Sequence, residues 1–328
     1  MPRIRRIPLA LIPLLLLPLT GCGSGTGGEG GKEAAPAADG FPYTVTNCGT
    51  KTTFVAPPKR AVTMNQHATE IMLALGLQDR LAGTAYLDDS IQPEYRSAYA
   101  ATKVLAKEYP SKEVLLGANP DFVYGGYGSA FDKAKGLDRA ALQKSGINTR
   151  LNIENCTEPG VGIDQLATEI TQVARTFGVP ERGKKLIAGE QRKIAAVETE
   201  RKGASHPSVF VYDSGDSSAF TAGGNGIGNE IVRLAGGRNV FADLDATFGD
   251  VSWEQVIKRK PEVVVIYDYG GTPVAAKKKR LLNDPALADV PAIKNKRFAV
   301  LPLSSAVLGV RVADAVQDLA GQLHPGTR

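Results

Sequence analysis

The sequence contains the same pair of phrases twice, once in each half of the chain. Glu70 opens a short apolar helix, Glu230 opens a similar one, and each helix ends at a glycine six residues later. In both copies a Ser-x-Glu phrase follows and leads into a proline and a short apolar run, over residues 111–124 and 252–266. Two copies are too few for a solenoid, so the repeat predicts two lobes of similar build with a cleft between them. Clefts of this kind commonly bind small molecules.

The N-terminal segment predicts export and attachment to a membrane. Residues 1–21 combine arginines with an apolar run that prolines interrupt, which is typical of a signal peptide and too short to span a bilayer. The run Leu-Thr-Gly-Cys that ends at Cys22 is similar to a bacterial lipobox, so we expect Cys22 to be lipidated. An ordinary signal peptide with a chance cysteine is the alternative. Residues 22–42 predict a flexible tether, and the protein is expected outside the cytoplasm, anchored to the cell membrane.

Two further cysteines, Cys48 and Cys156, follow the lipobox. An exported chain with two leftover cysteines most simply forms one disulfide, so we expect these two to pair. A metal or redox site is the alternative, but neither a nearby histidine nor a C-x-x-C spacing supports it.

The net charge argues against one class of partner. The formal charge of +5 falls to +2 once residues 1–21 and their three arginines are removed. This value is too mild to indicate nucleic-acid binding.

Short apolar runs alternate with amphipathic helices, which predicts an α/β fold of two Rossmann-like lobes with mainly parallel sheets. The expected strands lie at residues 60–64, 121–124, 209–212, 263–266 and 298–301. Helices are expected over residues 162–177, 181–201 and 311–323, and the second of these is long and charged enough to bridge two lobes. The predicted organisation is an N-terminal lobe over residues 43–179, a bridging helix over 180–203 and a C-terminal lobe over 204–328.

Helical periodicity places both repeated glutamates on solvent-facing sides. In the first copy the apolar positions share one face, and Glu70 falls nearly opposite that face. In the second copy Glu230 and Arg233 lie opposite a similar apolar stripe.

The sequence offers no catalytic motif. Its three histidines, His67, His206 and His324, are scattered, and G-x-S-x-G, H-E-x-x-H, Walker and C-x-x-C patterns are missing. The glycine-rich run 223–228 suggests a dinucleotide site, but Asn229 stands where the third glycine belongs, so we interpret the run as a turn entering a helix. Neither an enzyme, a cofactor nor a bare-metal receptor is predicted.

Polar and aromatic residues at the expected strand ends are candidates for ligand contacts, because α/β folds bind ligands beyond the carboxyl ends of their strands. Tyrosine combines a flat apolar body with a polar tip, which suits a large organic ligand. Packing at the rim is the alternative for each tyrosine, and Arg311 either meets an anionic ligand or pairs with a surface acid. The candidates are Asn65, Gln66, His67, Tyr86, Tyr124, Tyr127, Tyr212, Trp253, Tyr267, Tyr269 and Arg311.

With these features together, the chain resembles the substrate-binding proteins of bacterial ABC importers for iron complexes and cobalamin. The resemblance runs from about Asn47 to Pro325 and implies two α/β lobes joined by one rigid helix, with modest lobe movement on binding. The chain departs from better-known members in its cysteine pair and in its loop 65–67. The segments that carry the resemblance are 58–62, 68–76, 224–240 and 252–266.

The resemblance implies partners and roles. In that family an exposed glutamate on each lobe docks onto arginines of the permease, and the resemblance assigns this role to Glu70 and Glu230. Two surface glutamates stabilised by helix macrodipoles are the alternative. We expect a monomer that delivers a ferric siderophore to an ABC permease and its ATPase, with cobalamin or haem as alternative ligands. The competing hypothesis is an exported two-lobed enzyme, which needs a convergent nucleophile and base that the sequence does not offer.

Overall fold

A computed structural model of the protein shows two parallel α/β lobes joined by one helix. The structure describes residues 39–156 and 160–326. The predicted signal peptide, the predicted lipidation site Cys22 and most of the predicted tether therefore lie outside the described residues, and those predictions stand as made.

The N-terminal lobe is built from short strands and helices that alternate after an initial hairpin. Its strands are β1 (Tyr43–Asn47), β2 (Thr50–Phe54), β3 (Ala61–Met64), β4 (Leu81–Ala85), β5 (Val104–Ala106), β6 (Phe122–Gly125) and β7 (Asn148–Leu151). Its helices are α1 (Gln66–Ala74), α2 (Arg96–Ala100), α3 (Lys112–Gly117), α4 (Arg139–Lys144) and α5 (Ile163–Thr176), and α6 (Pro180–Glu200) leads to the second lobe.

The strand order of the N-terminal lobe places one strand end at the centre of the binding edge. Five parallel strands form a sheet in the order β5-β4-β3-β6-β7, and β1 pairs with β2 in an antiparallel hairpin. The chain enters at β3, adds strands on one side and then on the other. The carboxyl end of β3 is therefore the topological switch point, where α/β folds bind their ligands.

The C-terminal lobe repeats this plan with a smaller sheet. Its elements are β8 (Ser208–Tyr212), β9 (Ala219–Ala222), α7 (Ile227–Leu234), β10 (Arg238–Asn239), β11 (Phe248–Val251), α8 (Trp253–Arg259), β12 (Val263–Asp268), α9 (Val274–Asn283), α10 (Pro291–Lys294), β13 (Phe298–Pro302) and α11 (Val312–Leu323). Four parallel strands run in the order β10-β8-β12-β13, and β9 and β11 form a separate antiparallel pair. The predicted fold class is confirmed.

The bridging helix α6 has 21 residues and packs closely against α5 and α11. A Cβ atom on Gly183 would come within 2.7 Å of the Ala174 Cβ, so glycine is required for this close approach to α5. Ile194 and Val197 are buried on the inner face of α6 and belong to one hydrophobic cluster that contains residues of both lobes. This shared core explains why α6 joins the lobes rigidly rather than as a loop hinge.

The structure confirms the disulfide expected from the sequence. Cys48 and Cys156 form the expected disulfide, with their Cα atoms 4.9 Å apart, and it ties the β1–β2 turn to the loop after β7. Within residues 39–156 and 160–326, every helix is too short or too polar to cross a membrane. The same residues contain no group of three or more His, Cys, Asp or Glu side chains arranged to hold a metal ion.

Candidate ligand-binding cleft

A cavity of ≈ 330 Å³ lies between the loops that follow β6 and β7 in the N-terminal lobe and the start of β11 in the C-terminal lobe. Its lining comes from Tyr127, Glu154, Asn155 and Cys156 on the N-terminal side and from Thr247 and Phe248 on the C-terminal side. Larger hollows of ≈ 840 and ≈ 540 Å³ lie along α6. Because those hollows are remote from the strand ends of both sheets, the interlobe cavity is the better candidate for a ligand site.

Asn65 organises the edge of the N-terminal sheet. It follows β3 with φ 79° and ψ 153°, a backbone conformation that residues other than glycine rarely adopt. Its side chain is fully buried. Its amide contacts the Tyr109 hydroxyl at 3.0 Å and accepts the backbone N–H groups of Gly126 and Tyr127 at 3.2 Å. Backbone strain of this kind occurs where the surrounding structure fixes a functional loop. Asn65 therefore positions the tyrosines of the cleft and does not itself reach the cavity.

Gln66 and His67 are also at this edge and are also buried. The Gln66 amide donates to Asp89 Oδ1 and to the Ser90 carbonyl, both at 2.8 Å, and so holds the loop after β4. Burial lowers the pKa of His67 to about 4, which leaves a neutral imidazole packed edge-on against Tyr127 at 4.9 Å between ring centroids. The three predicted polar contacts thus support the cleft from beneath.

Tyr127 and Phe248 line the cavity from opposite lobes, and further aromatic rings lie in the loops and strands beside it. Tyr86, in a left-handed conformation with φ 58°, packs edge-on against Tyr109 with ring centroids 4.6 Å apart. On the opposite side the stacked rings of Phe220 and Phe248 lie 5.8 Å apart. Tyr269 donates its hydroxyl hydrogen to Asp213. Three of the predicted tyrosines, Tyr86, Tyr127 and Tyr269, keep partly exposed side chains here.

Other predicted contacts lie in the interior instead. Tyr124 donates to Glu169 within the core, Tyr212 donates to the Gly215 carbonyl, and the Trp253 ring N–H donates to the Asp216 carbonyl. Tyr267 is 1% exposed and packs beneath Gly228. The three tyrosines lie in strands that are buried on both faces, where side chains point into the layers above and below the sheet, and Trp253 begins α8. The prediction that these four side chains line the cleft is wrong in this structure.

Glu154 joins the two lobes at the floor of the cleft. Its carboxylate accepts the backbone N–H of Ile227 at 2.9 Å and that of Leu308 at 2.7 Å, both from the C-terminal lobe. Neighbouring Asn152 donates to the Leu308 carbonyl at 2.9 Å. Burial raises the pKa of Glu154 to about 7, and the two N–H donors oppose that rise. The segment that precedes α11 is thereby fixed against the N-terminal lobe.

Comparison with known proteins decides the class of the chain. The family model described as "Periplasmic binding protein" matches residues 62–304. The chain belongs to the periplasmic binding protein family. It is 29% identical over 209 residues to the vitamin B12-binding protein of Yersinia pestis (strain Pestoides F), covering 63% of this chain and 69% of that protein.

Solved structures agree with this membership. A periplasmic binding protein from Veillonella parvula superposes with a TM-score of 0.80 at 32% identity, covering 86% of this chain and 97% of that one. A protein of an ABC-type Fe3+-hydroxamate transport system from Saccharomonospora viridis gives a TM-score of 0.74 at 26% identity, covering 86% and 99%. This periplasmic binding protein is therefore of the class whose lobes are joined by one long helix, and it works outside the cytoplasm in ABC uptake. It is a solute-binding protein and not an enzyme.

The exposure predicted for Glu70 is wrong in this periplasmic binding protein. Glu70 is 1% exposed and forms a bidentate ion pair with Arg311, whose predicted role as a ligand contact is unsupported for the same reason. The helix-face pattern placed Glu70 away from the sheet, but the chain before α11 covers that side of α1. Glu230 keeps a 19% exposed side chain and pairs with Arg233 at 2.7 Å. The two glutamates are therefore not equivalent.

A different pair of glutamates is matched and exposed. Glu113 and Glu254 are the second residues of α3 and α8, and each follows a serine that caps the helix. The pKa of Glu113 is lowered by its own backbone N–H and by the Ser111 hydroxyl, and the pKa of Glu254 is lowered by the Ser252 hydroxyl and its own N–H. Because each helix runs antiparallel to the strand that follows it, both carboxylates lie on the binding edge of their lobes.

Several cleft residues were missed by sequence reasoning. Tyr109 follows β5, a three-residue strand too short to recognise from its pattern. Glu154 and Phe248 lie outside the apolar runs that mark strand ends, and Asp88 follows β4, whose sequence Leu-Ala-Gly-Thr-Ala has little strand character. The Ser-x-Glu repeat was visible in the sequence and marks the equivalent carboxylates better than the helix-opening glutamates do.

Proposed function

We propose that this protein is a lipid-anchored receptor that captures a ferric siderophore between its lobes and delivers it to an ABC permease. The observation that carries the proposal is the interlobe cavity lined by the aromatic rings of Tyr127 and Phe248, with Tyr86, Tyr109 and Tyr269 in the loops that follow β4, β5 and β12. Flat rings with polar tips suit a large, partly polar organic chelate.

Similarity to a protein of an Fe3+-hydroxamate transport system favours an iron complex. Similarity to a vitamin B12-binding protein makes a corrinoid the second candidate in the same cleft, and haem remains a third from the sequence resemblance. The lipid anchor rests on the sequence at Cys22. Membrane attachment would keep the receptor near its permease.

We assign permease docking to Glu113 and Glu254 in place of the pair expected from the sequence. Both carboxylates are exposed, both occupy the second position of a capped helix, and they occur at matching places in the repeat. Two equivalent carboxylates suit a permease with two matching basic surfaces, because charge complementarity steers docking.

Binding is tested by titrating the purified protein with ferric siderophores, cobalamin and haem while following intrinsic fluorescence. We expect saturable 1:1 quenching by a ferric siderophore without turnover. Tyr127→Ala should weaken binding by about tenfold or more, because a lining ring is lost. If none of the ligands binds, the receptor function is wrong.

Docking is tested by radiolabelled iron uptake in cells. Glu113→Ala with Glu254→Ala should abolish uptake and leave affinity in solution unchanged. Glu181→Ala with Glu200→Ala removes two exposed charges from α6 and serves as the matched control. A loss of solution affinity in the Glu113/Glu254 variant would contradict the docking assignment.

A further inference from the structure

In the part of the chain that the structure describes, the charged groups near the cleft include carboxylates that no available cation neutralises. Asp88 and Glu154 contribute carboxylates from the N-terminal lobe, and Asp213 lies beneath Tyr269 in the other lobe. The cations that act on these acids are already engaged. Lys277 is 3% exposed and donates to the carbonyls of Asp213 and Tyr267, both at 2.6 Å.

Arg311 is the second of these cations, and it is bound by Glu70 and by the Ser90 carbonyl. Lys107 is exposed two residues before Tyr109, at the outer end of the loop after β5. Within the described residues, neither Lys277 nor Arg311 is therefore available to an anionic ligand, and Lys107 is an exposed, flexible side chain that would hold an anion only weakly.

One carboxylate oxygen in this region is buried without a partner. Asp88 Oδ2 has no hydrogen-bond donor among the groups of residues 39–156 and 160–326. Burial raises the pKa of Asp88 to about 6 and neighbouring Asp89 raises it further, while the backbone N–H of Gln66, Arg311 and the Asp88 N–H oppose the rise. A buried acceptor without a donor is costly, and a ligand that supplies the donor removes that cost.

Three tyrosines lie near enough to interact electrostatically with the same carboxylate. Tyr109 and Tyr127 both lie within the electrostatic reach of Asp88 and of Tyr86. On the facing lobe, Tyr269 also lies within reach of Asp88. The faces of aromatic rings carry partial negative charge and attract cations, so the rings and the carboxylate favour the same sign of ligand.

Resting on the proposed receptor function, we infer that the ligand is an uncharged metal chelate with a pendant amine, and that Asp88 accepts the ammonium group of that amine. Three hydroxamates balance the charge of ferric iron, so a ferric trihydroxamate fits this description. A ferric tris-catecholate is strongly anionic, and haem carries two propionates. Both would bring anions to carboxylates and ring faces, while Arg311 is already paired with Glu70.

The test compares four probes by titration of the purified protein. They are ferric desferrioxamine B, which carries a pendant ammonium, its N-acetylated derivative, a ferric tris-catecholate and haem. We expect the ammonium form to bind about tenfold more tightly than the acetylated form, since a hydrogen bond to a charged group is lost. The tris-catecholate and haem should bind at least about a hundredfold more weakly than the ammonium form, because their charges would remain unpaired.

Asp88→Asn should remove the preference for the ammonium form without lowering the melting temperature. Asp79→Asn makes the same charge change at the opposite edge of the same sheet and should retain the preference. Tight binding of haem or the tris-catecholate alone, or an unchanged preference in Asp88→Asn, would overturn the inference while the receptor function stands. Failure of every probe, with cobalamin added, would overturn the receptor function as well.

Discussion

Glu70 in α1 and Arg311 at the start of α11 form a buried ion pair that joins the two lobes. The Arg311 Nε atom lies 2.7 Å from Glu70 Oε2, and the two residues are 241 positions apart in the chain. Arg311 also donates to Ser304 Oγ at 2.9 Å and to the Ser90 carbonyl at 2.6 Å. All three guanidinium nitrogens thereby donate hydrogen bonds, and those from Nε and Nη2 cross to the N-terminal lobe, which makes the pair a structural element.

Glu70→Ala should destabilise the protein by roughly 3–5 kcal/mol, because it leaves the Arg311 charge buried without its partner. The measurement is the free energy of unfolding from urea denaturation. Glu230→Ala is the control, because its pair with Arg233 is within one helix and partly exposed, and it should cost about 0.5 kcal/mol or less. Equal effects of the two substitutions would show that the interlobe pair contributes no more than a surface pair.

The buried carboxyl of Glu190 should make the protein less stable as pH rises. Glu190 lies in α6, and burial raises its pKa to about 7 from 4.5. Lys193 opposes the shift, and Asp314 and Glu94 add to it. Because the folded state holds this proton more tightly than the unfolded chain, the contribution of Glu190 to stability is full below pH 4.5 and falls as pH rises through about 7.

Glu190→Gln should remove this part of the pH dependence. Between pH 5 and pH 8, the free energy of unfolding of this variant should rise by roughly 1–3 kcal/mol relative to that of the unmutated protein. The measurement is urea denaturation at each pH. Glu181 is on the exposed side of the same helix, so the free energy of unfolding of Glu181→Gln should change with pH in parallel with that of the unmutated protein. A parallel profile for Glu190→Gln would mean that this carboxyl keeps its ordinary pKa.

Loss of the disulfide should destabilise the protein by about 2–5 kcal/mol, since the Cys48–Cys156 link constrains the unfolded chain. The comparison is the melting temperature with and without a reducing agent. The Cys48→Ser, Cys156→Ser variant should melt at the lower temperature under both conditions. If reduction also lowers the melting temperature of that variant, the reductant acts elsewhere.

Tyr124→Phe should separate core packing from ligand binding. The Tyr124 hydroxyl donates to Glu169, which also receives the Arg150 Nε at 2.9 Å in the buried core. Its loss should cost about 1–3 kcal/mol in the free energy of unfolding, as expected for a hydrogen bond to a charged group. Ligand affinity should stay unchanged, in contrast to Tyr127→Ala. If Tyr124→Phe lowers ligand affinity, Tyr124 contacts the ligand and the assignment to the core is wrong.

Local periodicity was sufficient to predict the architecture. The apolar runs at 209–212 and 263–266 became β8 and most of β12, and the helix expected over 181–201 became α6 over Pro180–Glu200. These elements follow from side-chain spacing along the chain, which a sequence displays directly. The short strands β4 and β5 were not predicted, because three to five residues with little β-branched content show no clear hydrophobic periodicity.

The site was only partly predictable, because its residues are selected by neighbours that are distant in sequence. Asn65, Gln66 and His67 were expected at the carboxyl end of β3 and are there, yet the loops after β4 and β6 cover them. Tyr86 and Tyr127 remain partly exposed at the edge, while Tyr212 and Tyr267 turn inward. The position of a residue along its strand determines whether it lies at the carboxyl edge of the sheet. Whether its side chain then faces the cleft or the core depends on strand register and on packing.

The sequence by itself determined the two-lobed α/β plan, the long bridging helix and the pairing of the two cysteines, because each depends on local spacing or on a count of residues. Only the tertiary structure decided which glutamates are exposed. A helix has one face against its own sheet, but the burial of Glu70 depends on a second covering segment that arrives from the far end of the chain. No periodicity within α1 reports that contact, since the free energy of burying a charge is set by the partner that neutralises it.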